Sequence, residues 1–296
     1  MNAGFEQLVA DAPYGRVEQL SPLVRRVLAR NPSPFTFTGT GTYIVGRGDV
    51  AIIDPGPADP AHVEAVAAAV AEAGERVRFH LITHTHLDHS PAARPLQARV
   101  GGTIGGCAPL ALADDGPRAD AGFDPGYAPD FVLTDGEAVD GPGWRLTAVA
   151  TPGHTSNHLC YALAEEGALF TGDHVMGWST TVVAPPDGDM AAYLASLEKL
   201  AGRPEDRIYY PTHGDPVTEP QRWARHLAAH RRQREAQILA ELEAGPRAIP
   251  ALVERLYAQV DRRLWGAAGR SVLAHLLDLE ARGRVKRSGA DAWRLP

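Results

Sequence analysis

HTHLDHS, residues 84–90, sets His84, His86, Asp88 and His89 within six consecutive positions. It follows FHLIT (79–83), an apolar run with the character of a buried strand. Imidazole nitrogens and carboxylate oxygens are ligands that Zn2+ takes, usually four to an ion. A tight loop at a strand end can aim His84 and His86 at one cation and turn Asp88 and His89 toward a neighbouring one. A solvated His-rich loop would have the same composition, so segments further along the chain must decide.

Three such segments exist. TPGHTSNH (151–158) carries His154, TGDHV (171–175) carries Asp173 and PTHGD (211–215) carries His213. Each ends or follows a run of strand character: WRLTAVA (144–150), ALFTGD (168–173) and RIYYPTH (207–213). Loops at strand ends gather at one rim of a layered fold. The sum is five His and two Asp, a set that suits two cations sharing a carboxylate. A zinc used only for structure sits in a closed four-ligand site, which argues against a non-catalytic, zinc-containing nucleic-acid-binding protein.

The rest of the chain places these loops. TYIVG (42–46) and VAIIDPG (50–56) read as a hairpin. DPAHVEAVAAAVAEA (59–73) reads as a helix, with Asp59 as N-cap, Pro60 in the first turn and Gly74 as stop. A short helix is expected from Pro91, an irregular loop over 105–129, strands at 131–133 and 158–164, and a helix over 189–201 capped by Asp189. NPSPF (31–35) is an extended entry; the residues before it show no clear period. Most strands lack helical crossovers, so a sheet-rich layered α/β domain fits better than a doubly wound parallel sheet. From 219 onward helices over 219–243, 248–260 and 267–282, then a strand–turn–strand over 283–295, give a winged-helix-like order. The expected division is a catalytic domain over 1–218 and a helical domain over 219–296.

At 296 residues the chain has room for one large domain and a small second one, at roughly 150 residues each. Hydrophobic residues make up 44% and charged residues 22%, which excludes disorder as a description of the whole. No run of about 18 apolar residues could cross a membrane. The opening MNAGFEQLVADAPYG has no secretory pattern, and two cysteines, Cys107 and Cys160, exclude a disulfide framework; the expectation is a cytoplasmic protein. The net charge of −7 divides into −13 for residues 1–218 (14 basic, 27 acidic) and +6 for 219–296 (15 basic, 9 acidic). Arg231, Arg232 and Arg234 on one helix, and Arg282, Arg284, Lys286 and Arg287 around the wing, could neutralise phosphates, or could hold the tail to the acidic domain.

HTHLDH, TPGHT, TGD and PTHG, in this order, resemble the metallo-beta-lactamase superfamily, over roughly residues 35–215. The resemblance implies an αββα sandwich with two zinc ions at one edge, iron or manganese being compatible with the same ligands. His84, His86 and His154 would bind the first ion, Asp88, His89 and His213 the second, and Asp173 would bridge. Asp54, in IIDPG, would orient a ligand imidazole from behind; the alternative is an Asp that caps the strand-end turn before Pro55-Gly56. Thr83 and Thr151 would do similar orienting work. His158 is read as structural or as a support behind the ligands, not as a ligand, and His174 as a hydrogen-bonded loop histidine. The implied chemistry is hydrolysis by a metal-bridging hydroxide, with Asp88 as proton acceptor. NPSPFTFTGTGTYIVG, GDHVMGWSTTV, AHRRQREAQIL and the tail resemble the beta-lactamase-like protein 2 group, which includes a single-strand-specific endoribonuclease. That makes single-stranded RNA one expected substrate; a glyoxalase II-like thioester, lactone or lactam hydrolase is the other, and Trp178 would stack on a base, line an acyl pocket or simply pack at the rim. Two departures lie beside the metal loops: GTGTY (39–43), where relatives often carry an Asn, and Pro91-Ala92 in place of a Gly pair.

Overall fold

The structure is a computed structural model, and it describes residues 3–110, 122–289 and 291–296. Its first sheet runs in chain order through β1 (Val17–Gln19), β2 (Val24–Leu28), β3 (Gly41–Arg47), β4 (Asp49–Ile53), β5 (Arg76–Ile82), β6 (Thr103–Gly106) and β7 (Phe131–Val132). Helix α1 (Ala3–Asp11) precedes it, α2 (Pro60–Glu72) links β4 to β5, and α3 (Ala93–Val100) links β5 to β6. The second sheet holds β8 (Ala138–Gly141), β9 (Trp144–Ala150), β10 (Leu159–Leu163), β11 (Ala168–Gly172) and β12 (Ile208–Pro211), with α4 (Met190–Ala201) between the last two. The expected caps hold: the Asp59 side chain accepts from the Ala61 N–H and the Asp189 side chain from the Ala192 N–H.

Alternation along the strands builds the four layers. In β3 and β4, Ile44, Val50 and Ile52 face α2 and α3, packing on Val63, Val66, Val70 and Leu96. Their neighbours Tyr43, Val45, Ala51 and Ile53 turn inward to meet Leu146, Ala148, Tyr161 and Phe170 of the second sheet. Val149, Cys160, Leu169 and Tyr209 face outward from that sheet onto α4 and onto α5 (Pro220–Glu243). The αββα sandwich expected from the sequence is thus the observed one. Gly46 lets the sheets close: with φ +103°, its place for a Cβ lies 2.3 Å from Trp144 Nε1, which instead donates to Asp49 O at 2.8 Å.

Helix α5 belongs to two cores. Ala224, Leu227 and Ala228 pack on the second sheet's outer face, while Ile238 and Leu242 join a separate C-terminal cluster with Leu252, Val272, Leu276 and Trp293. That cluster comprises β13 (Arg247–Ala248), α6 (Ile249–Leu256), α7 (Trp265–Ala281), β14 (Lys286–Ser288) and β15 (Ala292–Arg294), a winged helix with a three-stranded wing. The helix expected over 248–260 ends at Leu256, and a short 3-10 turn (Arg262–Leu264) leads into α7. Helix α1 and strands β1 and β2 were not legible, and of the expected loop 105–129, Gly105 and Gly106 belong to β6 while 111–121 lie outside the described residues.

Candidate metal centre

Pairing directions bring the candidate ligands to one rim. β4, β5 and β6 run parallel, β11 and β12 run parallel, and β9 and β11 are both antiparallel to β10, so they point the same way. Their C-terminal ends therefore share an edge, where ligand loops of layered α/β folds collect. Asp54 follows β4, His84 to His89 follow β5, His154 follows β9, Asp173 follows β11 and His213 follows β12.

All seven expected ligands are buried and fall into two adjoining groups, His84–His86–His154–Asp173 and Asp88–His89–His213. In the first, His86 Nδ1 lies 3.0 Å from His84 Nε2 and 3.1 Å from His154 Nε2. In the second, Asp88 Oδ2 lies 3.1 Å from His213 Nε2 and 3.4 Å from His89 Nε2. Asp173 faces both: Oδ2 is 3.9 Å from His154 Nε2, while Oδ1 is 3.3 Å from His213 Nε2 and 3.5 Å from His89 Nε2. Four donors about 2.1 Å from a tetrahedral ion stand about 3.4 Å from one another. His89 Nε2 and Asp173 Oδ1 are buried with no hydrogen-bond partner in the protein, an arrangement that costs free energy unless a cation answers it. The residues present therefore fit a pair of N/O-liganded cations.

The atoms behind this shell are fixed too. Asp54, completely buried at φ +47°, accepts from the Thr83 N–H (2.9 Å), Thr83 Oγ1 (2.8 Å) and Thr212 Oγ1 (3.1 Å), leaving Oδ2 2.9 Å from His89 Nδ1. Because the Thr83 hydroxyl donates to Asp54, its lone pair is free to accept from His84 Nδ1 at 3.0 Å, which leaves Nε2 as the lone-pair nitrogen. His154 Nδ1 meets Val182 O at 2.6 Å and His213 Nδ1 meets Gly39 O at 3.1 Å. Such partners set tautomer and ring orientation in metal sites. Thr40, in the departing GTGTY segment, donates to Asp88 Oδ2 at 3.3 Å and is itself held by Asn31 at 2.9 Å. The sequence marked the GTGTY segment but not the contact that Thr40 makes, and the Val182 carbonyl carried no sequence signal.

Electrostatics divides the two groups. Burial, then the neighbouring imidazoles, holds His84 and His86 well below the usual histidine range. Burial also opposes charge on His89 and His213, but the Asp88 and Asp173 carboxylates prevail and raise both, His213 to about 10. The same pairing outweighs burial at Asp88 and Asp173, which lie well below the carboxylate range.

His158 joins neither ligand group; its Nδ1 lies 2.9 Å from Thr151 Oγ1. His174 is also outside both groups, but it is not the hydrogen-bonded residue expected: neither ring nitrogen has a partner, and the ring packs against Tyr193 at 4.7 Å. Cys107 and Cys160 are free and buried. Trp178 stacks on Phe37 at 4.8 Å and lines a cleft of about 280 Å3 that also reaches His86, Asp88, His154, Asp173 and His213. Phe35, Met176 and Val182 continue that wall, and Tyr257, Val260, Leu264 and Ala268 supply the facing one from the C-terminal module. The expected arginine cluster is dispersed: Arg232 pairs with Glu198 at the surface, whereas Arg231 and Arg234 turn into the cleft wall. Arg282 pairs with Glu235 at 2.5 Å and Asp278 at 2.6 Å, and Arg287 lies 3.7 Å from Glu280. Among the described residues no helix is long and apolar enough to cross a membrane.

Known proteins resemble this chain in sequence and in fold. The beta-lactamase-like protein 2 homolog of Drosophila melanogaster is 32% identical over 92% of this chain and 92% of its own. An atrochrysone carboxyl ACP thioesterase of Aspergillus fumigatus is 34% identical over 79% of this chain and 69% of its own. A metallo-beta-lactamase family protein of Thermus thermophilus superposes with a TM-score of 0.74 at 25% identity, over 94% of this chain and all of that one. The beta-lactamase associated winged helix domain matches residues 248–293, and the metallo-beta-lactamase superfamily matches residues 36–213, the span that holds every candidate ligand described above. The chain is a member of the metallo-beta-lactamase superfamily, a hydrolase with a His/Asp metal-binding cluster and a C-terminal winged helix.

Proposed function

We propose that the protein hydrolyses carboxylic thioesters or esters at a dinuclear metal centre, with the acyl group held in the cleft between the two modules. The observation that carries the dinuclear part is Asp173, whose two oxygens face two different ligand sets. His84 Nε2, His86 Nδ1, His154 Nε2 and Asp173 Oδ2 would hold one cation; Asp88, His89, His213 and Asp173 Oδ1 would hold the other. Zinc suits these donors, as iron or manganese would. When bound, such a pair supplies a water acidified toward neutral pH and a Lewis acid for a substrate oxygen.

The chain's own residues do the rest. Asp88 lines the cleft with its carboxylate aligned by Thr40, and is the proton acceptor in this reading. Asp54, Thr83, Val182 O and Gly39 O keep the ligand imidazoles from turning. Phe35, Met176, Trp178, Tyr257 and Leu264 remove apolar surface from water and so favour an acyl chain. The Aspergillus relative, named as a thioesterase, supports the same substrate class. Single-stranded RNA asks instead for a continuous basic groove; Arg232, Arg282 and Arg287 of the tail are each paired with a carboxylate, which favours the acyl reading.

Metal-loaded enzyme offered a decanoyl thioester, a labelled RNA oligonucleotide and nitrocefin tests this reading. Thioester turnover that chelation abolishes is the expected result; cleavage of the RNA alone would overturn the substrate class.

A further inference from the structure

On α5, residues 231 and 234 are three apart and share a face, which turns into the cleft, while Arg232 points away to Glu198. Arg231 is 3% exposed. Its Nη2 donates to Thr181 O, and its guanidinium lies 5.5 Å from the Tyr193 ring centroid. Arg234 lies 4.1 Å from the Tyr257 ring centroid and donates through Nη1 to Leu256 O at 2.8 Å; its Nε is buried without a partner. Among the described residues neither guanidinium forms a salt bridge. The contrast is Arg25, equally buried, which meets Glu75 at 2.6 Å.

The groups around the two arginines do not neutralise them. His230 lines the same wall, with Nδ1 buried and unpartnered, and His275 on α7 has no partner on either nitrogen. The carboxylates that line the cleft, Asp88 and Asp173, are directed at imidazoles. Aromatic faces and carbonyls hold a guanidinium in place and soften its burial, but they do not supply a counter-charge. A planar fork of N–H donors fixed in a partly dry wall is the ordinary receptor for a carboxylate or a phosphate.

We propose that Arg231 and Arg234 form a cationic subsite that receives an anionic group of the substrate, either a carboxylate on the acyl chain or a phosphate on the thiol half. The proposal rests on the thioester reading above and sharpens it: the substrate is an acyl thioester that carries a negative charge away from the scissile bond.

The test uses the metal-loaded full chain and substrates that differ only in that charge. One arm pairs ω-carboxyacyl thioesters of four to eight carbons with their ω-amides; the other pairs acyl-pantetheine with acyl-4′-phosphopantetheine. Titration calorimetry of the α,ω-dicarboxylates against their monoamides reads the acyl arm without turnover. In one arm the charged member is expected to have a KM at least tenfold lower, and Arg234→Gln and Arg231→Lys are expected to shrink that ratio toward one. Arg232→Gln, on the outer face, is expected to leave it unchanged. No charge preference in either arm, or a preference that survives both cleft-facing substitutions, would overturn the subsite. Binding discrimination without thioester turnover would keep the subsite and overturn the thioester reading, so the two failures are distinguishable.

Discussion

Asp54 shows how much of this centre is decided by single side chains behind it. Its carboxylate ties together Thr83, His89 and Thr212, residues from two sheets, and holds a left-handed backbone that Asp tolerates better than most residues. Asp54→Ala is therefore expected to weaken metal binding by about 10–100-fold, as losses behind a metal shell do, with Asp54→Asn intermediate; competition with a chromogenic chelator measures it. Gly153 is the second critical position. At φ +139° its place for a Cβ falls 2.3 Å from Tyr193 Cα, because the loop bearing His154 lies directly against α4. Gly153→Ala should cost about 1–3 kcal/mol of stability and lower metal content, both readable from one purified sample by denaturant titration and metal analysis.

At the level of elements, legibility followed how local the signal was. Each candidate ligand lies within a few residues of a strand end, so motif and apolar run could be read together: HTHLDHS behind FHLIT, PTHGD behind RIYY. Strand β2 was hidden because VRRVL puts two arginines inside a strand; the counter-charge that Arg25 meets there is Glu75, 50 positions away. The cleft wall was hidden for a related reason. Tyr257 and Leu264 have no periodic signature, and Arg231 and Arg234 resemble any solvated helix face until α7 and the 181–182 loop cover them. The α5–α7 contact makes a prediction of its own. Burial, then Arg231 and Arg234, pushes His275 down to about 3. The unfolded chain therefore binds this proton first as pH falls, so the His275 contribution to stability is constant above about 6.5 and becomes destabilising below it. The slope is about 1.4 kcal/mol per pH unit for one fully titrating group. Urea midpoints at pH 7 and pH 5 should differ less in His275→Leu than in the parent chain.

Across the whole molecule, α5 joins the two walls of the cleft. Its first half closes the sandwich whose rim carries the candidate ligands, and its second half anchors the winged helix that faces them across the cleft. Metal binding and substrate choice should then separate by mutation. Tyr257→Ala, on the C-terminal side, is expected to raise KM for long acyl thioesters roughly tenfold, the scale of a lost aromatic contact worth about 1.4 kcal/mol, with kcat and metal content nearly unchanged. All of this presupposes that Asp173 joins two cation sites rather than completing one. The direct measurement is the number of divalent metal ions per folded chain after reconstitution and desalting, by inductively coupled plasma mass spectrometry, for the parent chain and for Asp173→Ala. Two ions per chain, falling to one or fewer in the variant, is the predicted result; a single ion in the parent, retained when Asp173 is removed, would contradict it.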